Sequence, residues 1–175
     1  GSFYESGQGD RNVNFKKLFL DKVTIARGSP ADFSKYYEDS KYMKAGFEKL
    51  VKQETLIPFF ALCGNKMIGK IYFVTKLGDL QIADGKQVGY ICNLYVKKFF
   101  RNIGIGTMLV DAVKRYAIAN GFSALTLGVE EDNSKNMYLY NKLGFNNKIK
   151  NMNTDLLFKD AEGKAIIVNT YAVYS

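Results

Sequence analysis

Apolar runs separated by polar turns divide this chain into alternating strands and helices. Two-residue alternation or a short apolar run predicts a strand, whereas apolar residues three to four apart predict an amphipathic helix. The predicted strands are 22–27, 58–63, 67–74, 88–96 and 124–129, followed by a closing hairpin of 154–159 and 164–174. The predicted helices are 30–52 (interrupted), 105–119 and a short one around 137–143. This order of elements predicts an α/β (α+β) domain with a mixed sheet.

Turn and cap residues mark the ends of these elements. Ser29 suits the N-cap of the first predicted helix, and Pro30 suits its first position. Gly144 followed by Phe145 predicts a helix end at which the glycine takes a positive φ and the phenylalanine packs back. We expect residues 1–175 to form a single domain, with the polar segment 1–14 as a flexible arm.

The amino-acid composition excludes several kinds of catalytic and metal-binding site. The 175 residues include no histidine, which excludes Ser-His-Asp and Cys-His nucleophiles and His-ligated metals. Acid–base work must therefore fall to carboxylates, Tyr, Lys, backbone groups or water. Cys63 and Cys92 lie inside apolar runs, which indicates free thiols in a reducing cytoplasm rather than a disulfide or a metal site. No apolar stretch reaches the length needed to span a bilayer, so no membrane partner is expected.

The formal net charge of +8 suits a nucleic acid, an acidic substrate or a polyanionic cofactor. Its distribution favours the last of these. Between residues 85 and 110 there is no Asp or Glu, while Lys86, Lys97, Lys98 and Arg101 all lie there. No nucleic-acid-binding motif is recognisable, so we expect no nucleic-acid partner.

A glycine-rich turn follows the predicted strand 88–96 and opens the predicted helix 105–119. Such a turn points several backbone N–H groups at one spot, which also faces the positive end of the helix dipole and suits a phosphate. The alternative is a purely structural strand–helix turn, with no bound phosphate and with an exposed arginine. The full G-x-G-x-x-G and P-loop patterns are both absent. The residues of this glycine turn are Arg101, Asn102, Ile103, Gly104, Ile105, Gly106 and Thr107.

A second segment runs from Asn133 to Phe145. Alone, it is typical of a capped amphipathic helix in which Tyr140 is half-buried packing. Together, the two segments resemble the GNAT superfamily of acyl-CoA-dependent N-acetyltransferases. The family's R/Q-x-x-G-x-G/A motif is matched by Arg101, Gly104 and Gly106, and its N-x-x-A-x-x-L-Y-x-x-x-G-F motif by Asn133, Leu139, Tyr140, Gly144 and Phe145. Asn136 departs from the pattern, standing where a small residue is usual.

The resemblance implies a fold and a cofactor. The fold is a mixed, mostly antiparallel central sheet of six to seven strands, flanked by helices and splayed between its fourth and fifth strands. The cofactor is acetyl-CoA, whose pyrophosphate would lie on the backbone amides of the glycine turn, while its pantetheine arm would lie between the splayed strands. The implied cofactor contacts are Leu94, Tyr95 and Val96 on the fourth strand, residues 101–107 in the turn, and Asn133, Asn136 and Tyr140 beyond the fifth strand.

The resemblance also implies direct attack of a substrate amine on the thioester. Tyr140 matches the family's tyrosine near the sulfur and is the expected general acid, and a backbone N–H near Leu94 would stabilise the oxyanion. Many family members carry a glutamate on the fourth strand as base, but here Asn93 occupies the inward position. Glu130 and Glu131 are the nearest carboxylates in sequence. We expect the proton to leave through ordered water and backbone carbonyls instead.

Three functions from different classes remain open. The first is an N-acetyltransferase acting on an amine of a small molecule or peptide; the second is a catalytically silent acyl-CoA-binding module; the third is a nucleic-acid-binding protein. The acceptor site is expected from residues 30–52, the connection 77–86 and the final hairpin. Its aromatic candidates, which are also typical of core packing, are Tyr36, Tyr37, Tyr42 and Phe47. A homodimer paired through the final strand, 165–174, is a further option.

Overall fold

Seven strands and several short helices account for most of the chain. The computed structural model describes residues 15–76, 88–130, 138, 140–145, 147–153 and 167–174, with the backbone alone for 128–130, 147–153 and 167–174. The helices are α1 (15–20), α2 (Pro30–Tyr36), α3 (Lys44–Lys52) and α4 (Ile105–Ala119), with a 3₁₀ turn at Lys98–Phe100. The strands are β1 (Val23–Arg27), β2 (Leu56–Cys63), β3 (Lys66–Val74), β4 (Val88–Val96), β5 (Ala124–Glu130), β6 (Asn147–Asn153) and β7 (Ile167–Tyr174).

The strands form one sheet in the order β1-β2-β3-β4-β5-β7-β6. All neighbours are antiparallel except β4 and β5, which pair in parallel only over Val88–Ile91 and Ala124–Leu127. Beyond these residues β4 continues beside β3, and β5 continues beside β7. We call the gap between residues 92–96 and 128–130 the wedge. The expected mixed sheet of six to seven strands, splayed between the fourth and fifth, is thereby confirmed.

A bulge distorts β4 at the start of the wedge. Lys70 lies opposite Tyr95 and Tyr72 opposite Cys92, so two residues of β4 face a single residue of β3. One of the two is Asn93, whose φ is +53°. Asparagine adopts this left-handed conformation more readily than most residues, and a bulge of this kind bends the strand and redirects its side chains.

Two apolar clusters lie on the two faces of the sheet. One packs α4, through Leu109, Val110 and Val113, against the central strands. The other packs α2 and α3, through Phe33 and Phe47, against the opposite face. Helix α4 covers its face without a break because its buried residues recur three to four apart along its length. The wedge therefore opens with a different helical layer on each side.

Helix α2 begins as its sequence predicts. Ser29 is the N-cap, Pro30 the first helical residue, and Ser29 and Asp32 form a reciprocal capping box. The predicted interruption is a segment of seven residues, 37–43, that separates α2 from α3. Helix α1 was not predicted. Among the described residues, no helix combines the length and apolar character required to cross a bilayer.

The closing hairpin differs from its prediction. Strand β6 covers Asn147–Asn153, which the sequence analysis left outside any strand, and it pairs antiparallel with β7. The predicted strand 154–159 lies outside the described residues. The β6 sequence is dominated by Asn and Lys, which have low strand propensity. Strand β7 is paired on one side with β5 and on the other with β6, so neither of its edges is open to a second subunit. A homodimer itself stays a prediction.

Candidate active site

The glycine turn presents an open helix N-terminus beside the wedge. Asn102 and Gly104 have φ values of +64° and +103°, and Gly104 is the N-cap of α4. Because glycine has no side chain, it leaves the first amides of the helix uncapped, and the first turn contains no acidic residue. These amides have no acceptor within the helix, so the turn offers several N–H donors and the positive end of the dipole to an anion.

Arg101 closes the turn against the end of β4. Its Nε donates a hydrogen bond of 2.7 Å to the carbonyl oxygen of Val96. Its guanidinium carbon lies 5.4 Å from the ring centroid of Tyr95, which is 41% exposed. A carbonyl oxygen has two lone pairs, so the Val96 carbonyl retains one position for a second donor. The positively charged guanidinium of Arg101 is thus held beside both the wedge and the glycine turn.

Tyr140 lies at the end of a helical segment whose stop follows the predicted pattern. The backbone N–H groups of Leu143 and Phe145 donate to the carbonyl oxygen of Tyr140 at 3.1 and 3.0 Å. Gly144 has a φ of +98°, and Phe145 is fully buried, with its ring centroid 6.4 Å from that of Tyr140. The predicted glycine stop with a packed phenylalanine is therefore confirmed.

The Tyr140 side chain is only 8% exposed and belongs to the α4-side cluster. Burial, with a smaller contribution from Cys92, raises the pKa of Tyr140 to about 12. Cys92 belongs to the cluster on the opposite face of the sheet. The tyrosine hydroxyl therefore stays protonated at neutral pH.

The Cys92 thiol is also kept protonated. Burial raises its pKa far above the ordinary value, Asp39 raises it further, and Lys70 partly opposes this effect. A thiol acts as a nucleophile only as its thiolate. Cys92 is therefore poorly suited to carry an acyl group in a two-step reaction at neutral pH.

An ion pair and two polar side chains meet at the β4 bulge, and the sequence analysis did not predict this group. The Lys70 ammonium lies 2.5 Å from Oδ1 of Asp39. Oδ2 of Asp39 accepts hydrogen bonds from the Tyr72 hydroxyl at 2.9 Å and from Nδ2 of Asn93 at 3.2 Å. We call these four residues the Asp39 cluster. It supplies at β4, from the segment between α2 and α3, the carboxylate that β4 itself lacks.

One signal in the sequence pointed to this cluster. Within residues 67–74 of β3, Lys70 is the one charged residue, and its side chain is only 2% exposed. A buried lysine requires a counter-charge. The sequence could not identify Asp39 as that partner, because 31 positions separate the two residues and Glu38 and Glu48 are other candidates.

The predicted aromatic pocket is mostly core. Phe47 is 2% exposed and contacts the Tyr72 ring at 5.7 Å between centroids. Tyr37 packs on Phe47 at 6.4 Å, Tyr36 packs on a β2 phenylalanine, and Tyr42 is exposed. Phe47, with Tyr37 packed against it, contacts the Tyr72 ring of the Asp39 cluster. The four aromatic residues therefore do not line an open cation site.

Several predicted site residues cannot be placed. Asn133, Asn136, Glu131 and the connection 77–86 lie outside the described residues. Glu130 ends β5, and only its backbone is described. Among the described site residues, Arg101 bonds to Val96 at the end of β4, and Tyr140 belongs to the same apolar cluster as Leu94, Val96 and Ile103. Their assignment to one cofactor site stays a prediction.

The model of the acetyltransferase (GNAT) family matches residues 24–145, a span that contains the wedge, the glycine turn and Tyr140. The chain belongs to this family. The predicted membership is confirmed. An uncharacterised N-acetyltransferase of Methanocaldococcus jannaschii is 26% identical over 113 residues, which cover 65% of this chain. The match spans about half (49%) of that relative's length.

Solved structures agree on the fold. An IAA acetyltransferase from Bacillus cereus has a TM-score of 0.66 at 18% identity, covering 87% of this chain and 99% of its own. Arabidopsis thaliana NAA60 in complex with acetyl-CoA has a TM-score of 0.67 at 16% identity, covering 87% and 98%. An aminoglycoside acetyltransferase from an uncultured soil metagenomic sample, in complex with sisomicin, has a TM-score of 0.59 at 19% identity, covering 71% and 88%.

Proposed function

We propose that this protein transfers the acetyl group of acetyl-CoA to a primary amine of a small molecule or peptide, by direct attack in a ternary complex. The observation that carries this proposal is the position of the wedge beside the glycine turn. Strand β4 leaves its β5 partner after Ile91, and the uncapped N-terminus of α4 lies just beyond the end of β4. An elongated ligand with an amide-containing arm and a diphosphate suits this combination.

The cofactor contacts follow from this placement. The amides of residues 102–107 would hold the diphosphate, with Arg101 beside them. The backbone groups of Leu94 and Val96 would pair with the pantetheine amides, as unpaired strand groups can, and Tyr95 lies between them. Asn133 and Asn136 complete the proposed contacts on the β5 side.

Two side chains favour direct transfer. Because the Cys92 thiol is held protonated, an acyl-cysteine intermediate is disfavoured at neutral pH. Tyr140 keeps its proton and can donate a hydrogen bond to the departing sulfur. Its pKa of about 12 exceeds that of an ordinary thiol, about 8.5, so hydrogen bonding precedes any complete proton transfer. A backbone N–H near Leu94 would stabilise the oxyanion.

The test has two parts. Calorimetry with CoA measures cofactor binding, and release of free thiol from acetyl-CoA measures turnover with spermidine, tyramine, sisomicin and a peptide with a free N-terminus. We expect CoA to bind and at least one amine to release thiol and form its N-acetyl product in equal amounts. Binding without turnover would favour the acyl-CoA-binding module, and absence of CoA binding would refute both. A reducing, cytoplasmic setting is part of the proposal and is supported by the free thiols of Cys63 and Cys92.

A further inference from the structure

We propose that Asp39 and Lys70 form the subsite for the acceptor amine. The Asp39 carboxylate accepts a hydrogen bond from the attacking nitrogen, and the Lys70 ammonium prevents the amine from being held in its protonated, unreactive form. This inference rests on the proposed function and adds to it the residues that position the acceptor.

The position of Asp39 is the first argument. Its Oδ2 is bonded to Asn93, which lies in the bulge where β4 enters the wedge. Tyr140 belongs to the apolar cluster on the α4 side of the sheet, whereas Tyr72, which donates to Asp39, belongs to the cluster on the opposite side. A thioester lying in the wedge would then have Tyr140 on one face of the sheet and Asp39 on the other. The carboxylate is on the side opposite the helix that carries the glycine turn.

The second argument is the number of hydrogen bonds that the Asp39 carboxylate already accepts. An ionised carboxylate offers about four acceptor positions. Lys70, Tyr72 and Asn93 occupy three of them, and the Asp39 side chain is 24% exposed while that of Lys70 is 2% exposed. The open position therefore belongs to the accessible side of the group, where an amine N–H can reach it.

Charge balance is the third argument. An isolated carboxylate raises the pKa of a neighbouring ammonium, because it favours the charged form. Lys70 offsets the charge of Asp39, so the pair is formally neutral. The amine can then be held by a hydrogen bond without its protonated form being strongly favoured. Attack requires that unprotonated form, since a free alkylammonium has a pKa of about 10.

The other titratable groups that face Asp39 do not change charge near neutral pH. Tyr37, Tyr72 and Cys92 all have raised pKa values, mainly through burial. Nearby in the same segment, Glu38 pairs with Lys97 at 3.6 Å. On α3, Glu48 accepts a hydrogen bond from Ser34. A change in the pH profile of transfer in variants of Asp39 or Lys70 can thus be assigned to the acceptor amine.

The step is balanced without any further reactant. The ammonium first loses one proton to water, and the neutral amine then attacks the thioester carbonyl. The C–N bond forms and the C–S bond breaks. The amine nitrogen loses its second proton as the amide forms, and the departing thiolate gains one. The products are the N-acetyl amine, CoA and one proton released to solvent, while Asp39 remains a hydrogen-bond acceptor throughout.

Binding is tested first, without turnover. Protein labelled with ¹³C at the aspartate carboxyl is loaded with CoA and titrated with ethylammonium chloride. We expect the Asp39 resonance, assigned by its loss in Asp39→Asn, to shift with ethylammonium and to stay in place with tetramethylammonium, which carries the same charge but no N–H. An unmoved resonance in CoA-loaded protein overturns this inference alone. If CoA does not bind, the proposed function fails and the inference fails with it.

Turnover is tested with acetyl-CoA and ethylamine, alongside any amine that reacts in the panel. Asp39→Asn should lower kcat/KM for the amine about 10- to 100-fold, mostly through KM, because a charge-assisted hydrogen bond is lost. Lys70→Met should shift the kcat profile to higher pH by about one unit or more, since the carboxylate then favours the ammonium. The double variant Asp39→Asn/Lys70→Met should keep the raised KM and lose the alkaline shift.

Two controls separate this role from a structural one. Glu54→Gln removes an exposed carboxylate that lies outside the segment 30–52 and pairs with Arg27 at 3.6 Å, and it should leave both KM and the pH profile unchanged. The CoA dissociation constant and the melting temperature are measured for every variant, and the double variant leaves no unpaired charge even if a single variant fails to fold. A double variant that folds and binds CoA with an unchanged amine KM, or a folded Lys70→Met without an alkaline shift, would overturn the inference.

Discussion

Individual side chains around the wedge are held in defined protonation states by burial. The hydroxyl of Tyr140 has a pKa of about 12 because the residue is buried and lies near Cys92. Such a group can donate a hydrogen bond over the whole physiological pH range, which suits a donor to a leaving sulfur better than a base. This assignment leads to two predictions.

The first concerns catalysis. Tyr140→Phe keeps the ring packed against Phe145 and removes only the hydroxyl. We expect kcat to fall about 100-fold, the usual lower range for loss of an acid–base group, with little change in CoA affinity. Tyr138→Phe, at a position 68% exposed, is the matched control. Steady-state kinetics and calorimetry check both variants, and a wild-type kcat in Tyr140→Phe would remove Tyr140 from the mechanism.

The second concerns stability. A tyrosine whose pKa is raised on folding stabilises the protein fully below the unfolded value, about 10, and that contribution is lost as the pH rises toward the folded value. With a folded pKa of about 12 for Tyr140, the wild type should lose about 1 kcal/mol more than Tyr140→Phe between pH 10 and 11. Urea unfolding at several pH values measures the difference. Parallel pH dependences in the two proteins would contradict the prediction.

The identity of site residues was predictable from sequence only where a local motif carried it. Gly104 and Tyr140 lie in short patterns with fixed spacing, so the sequence alone predicts a role for each. Asp39 and Lys70 are brought together by the packing of the α2–α3 segment against β3 and β4. No local pattern encodes that contact, because it depends on the relative placement of distant elements.

Among the secondary-structure elements, helix α4 begins at a glycine turn whose backbone conformation is unusual and well defined. The third prediction tests the turn. Gly104→Ala forces a β-carbon onto a residue with φ of +103°, although the nearest side-chain atom, Leu20 Cδ1, would be 4.0 Å away. The cost is therefore conformational, about 1–2 kcal/mol, and relief of that strain would rearrange the anion site. We expect a lower melting temperature and weaker CoA binding.

The same substitution at a glycine in α3, Gly46, should change the stability of the protein in the opposite direction. A β-carbon at Gly46 would meet nothing within 4 Å, and the residue lies inside the helix Lys44–Lys52. Gly46→Ala should stabilise the protein by about 0.5–1 kcal/mol and leave CoA binding unchanged. Differential scanning calorimetry with and without CoA compares the two variants. Equal effects on CoA affinity would show that the turn conformation is unimportant for binding.

The elements that the sequence predicted well share one feature: a strongly periodic pattern of hydrophobic residues, bounded at each end by turn or cap residues. Strand β4 and helix α4 have the predicted bounds, 88–96 and 105–119. Strand β6 failed because its polar residues give no alternation, and its strand conformation is set by pairing with β7. Tertiary pairing overrides weak local propensity in such a segment.

In the molecule as a whole, the sheet separates two tasks. The layer containing α4 carries the glycine turn that we propose binds the diphosphate, while the layer containing α2 and α3 carries the Asp39 cluster. The pairing of β4 with β5 ends after Ile91 and Leu127, so a thioester and an amine arriving from opposite faces of the sheet would meet in the wedge. The charge of the chain follows this division, since the stretch 88–110 contains Lys97, Lys98 and Arg101 but no acidic residue.

The fourth prediction follows from that charge. A net charge of +8, concentrated near the glycine turn, should strengthen binding of the polyanionic part of CoA through interactions that salt screens. Raising NaCl from about 50 to about 500 mM should weaken CoA binding about tenfold, because the screening length falls to a few ångströms. Pantetheine, which lacks the phosphates, should bind more weakly and with almost no salt dependence. Lys98→Ala should reduce the salt dependence for CoA alone. Calorimetric titrations with the two ligands measure both slopes, and equal slopes would show that the phosphates of CoA do not contact this basic region.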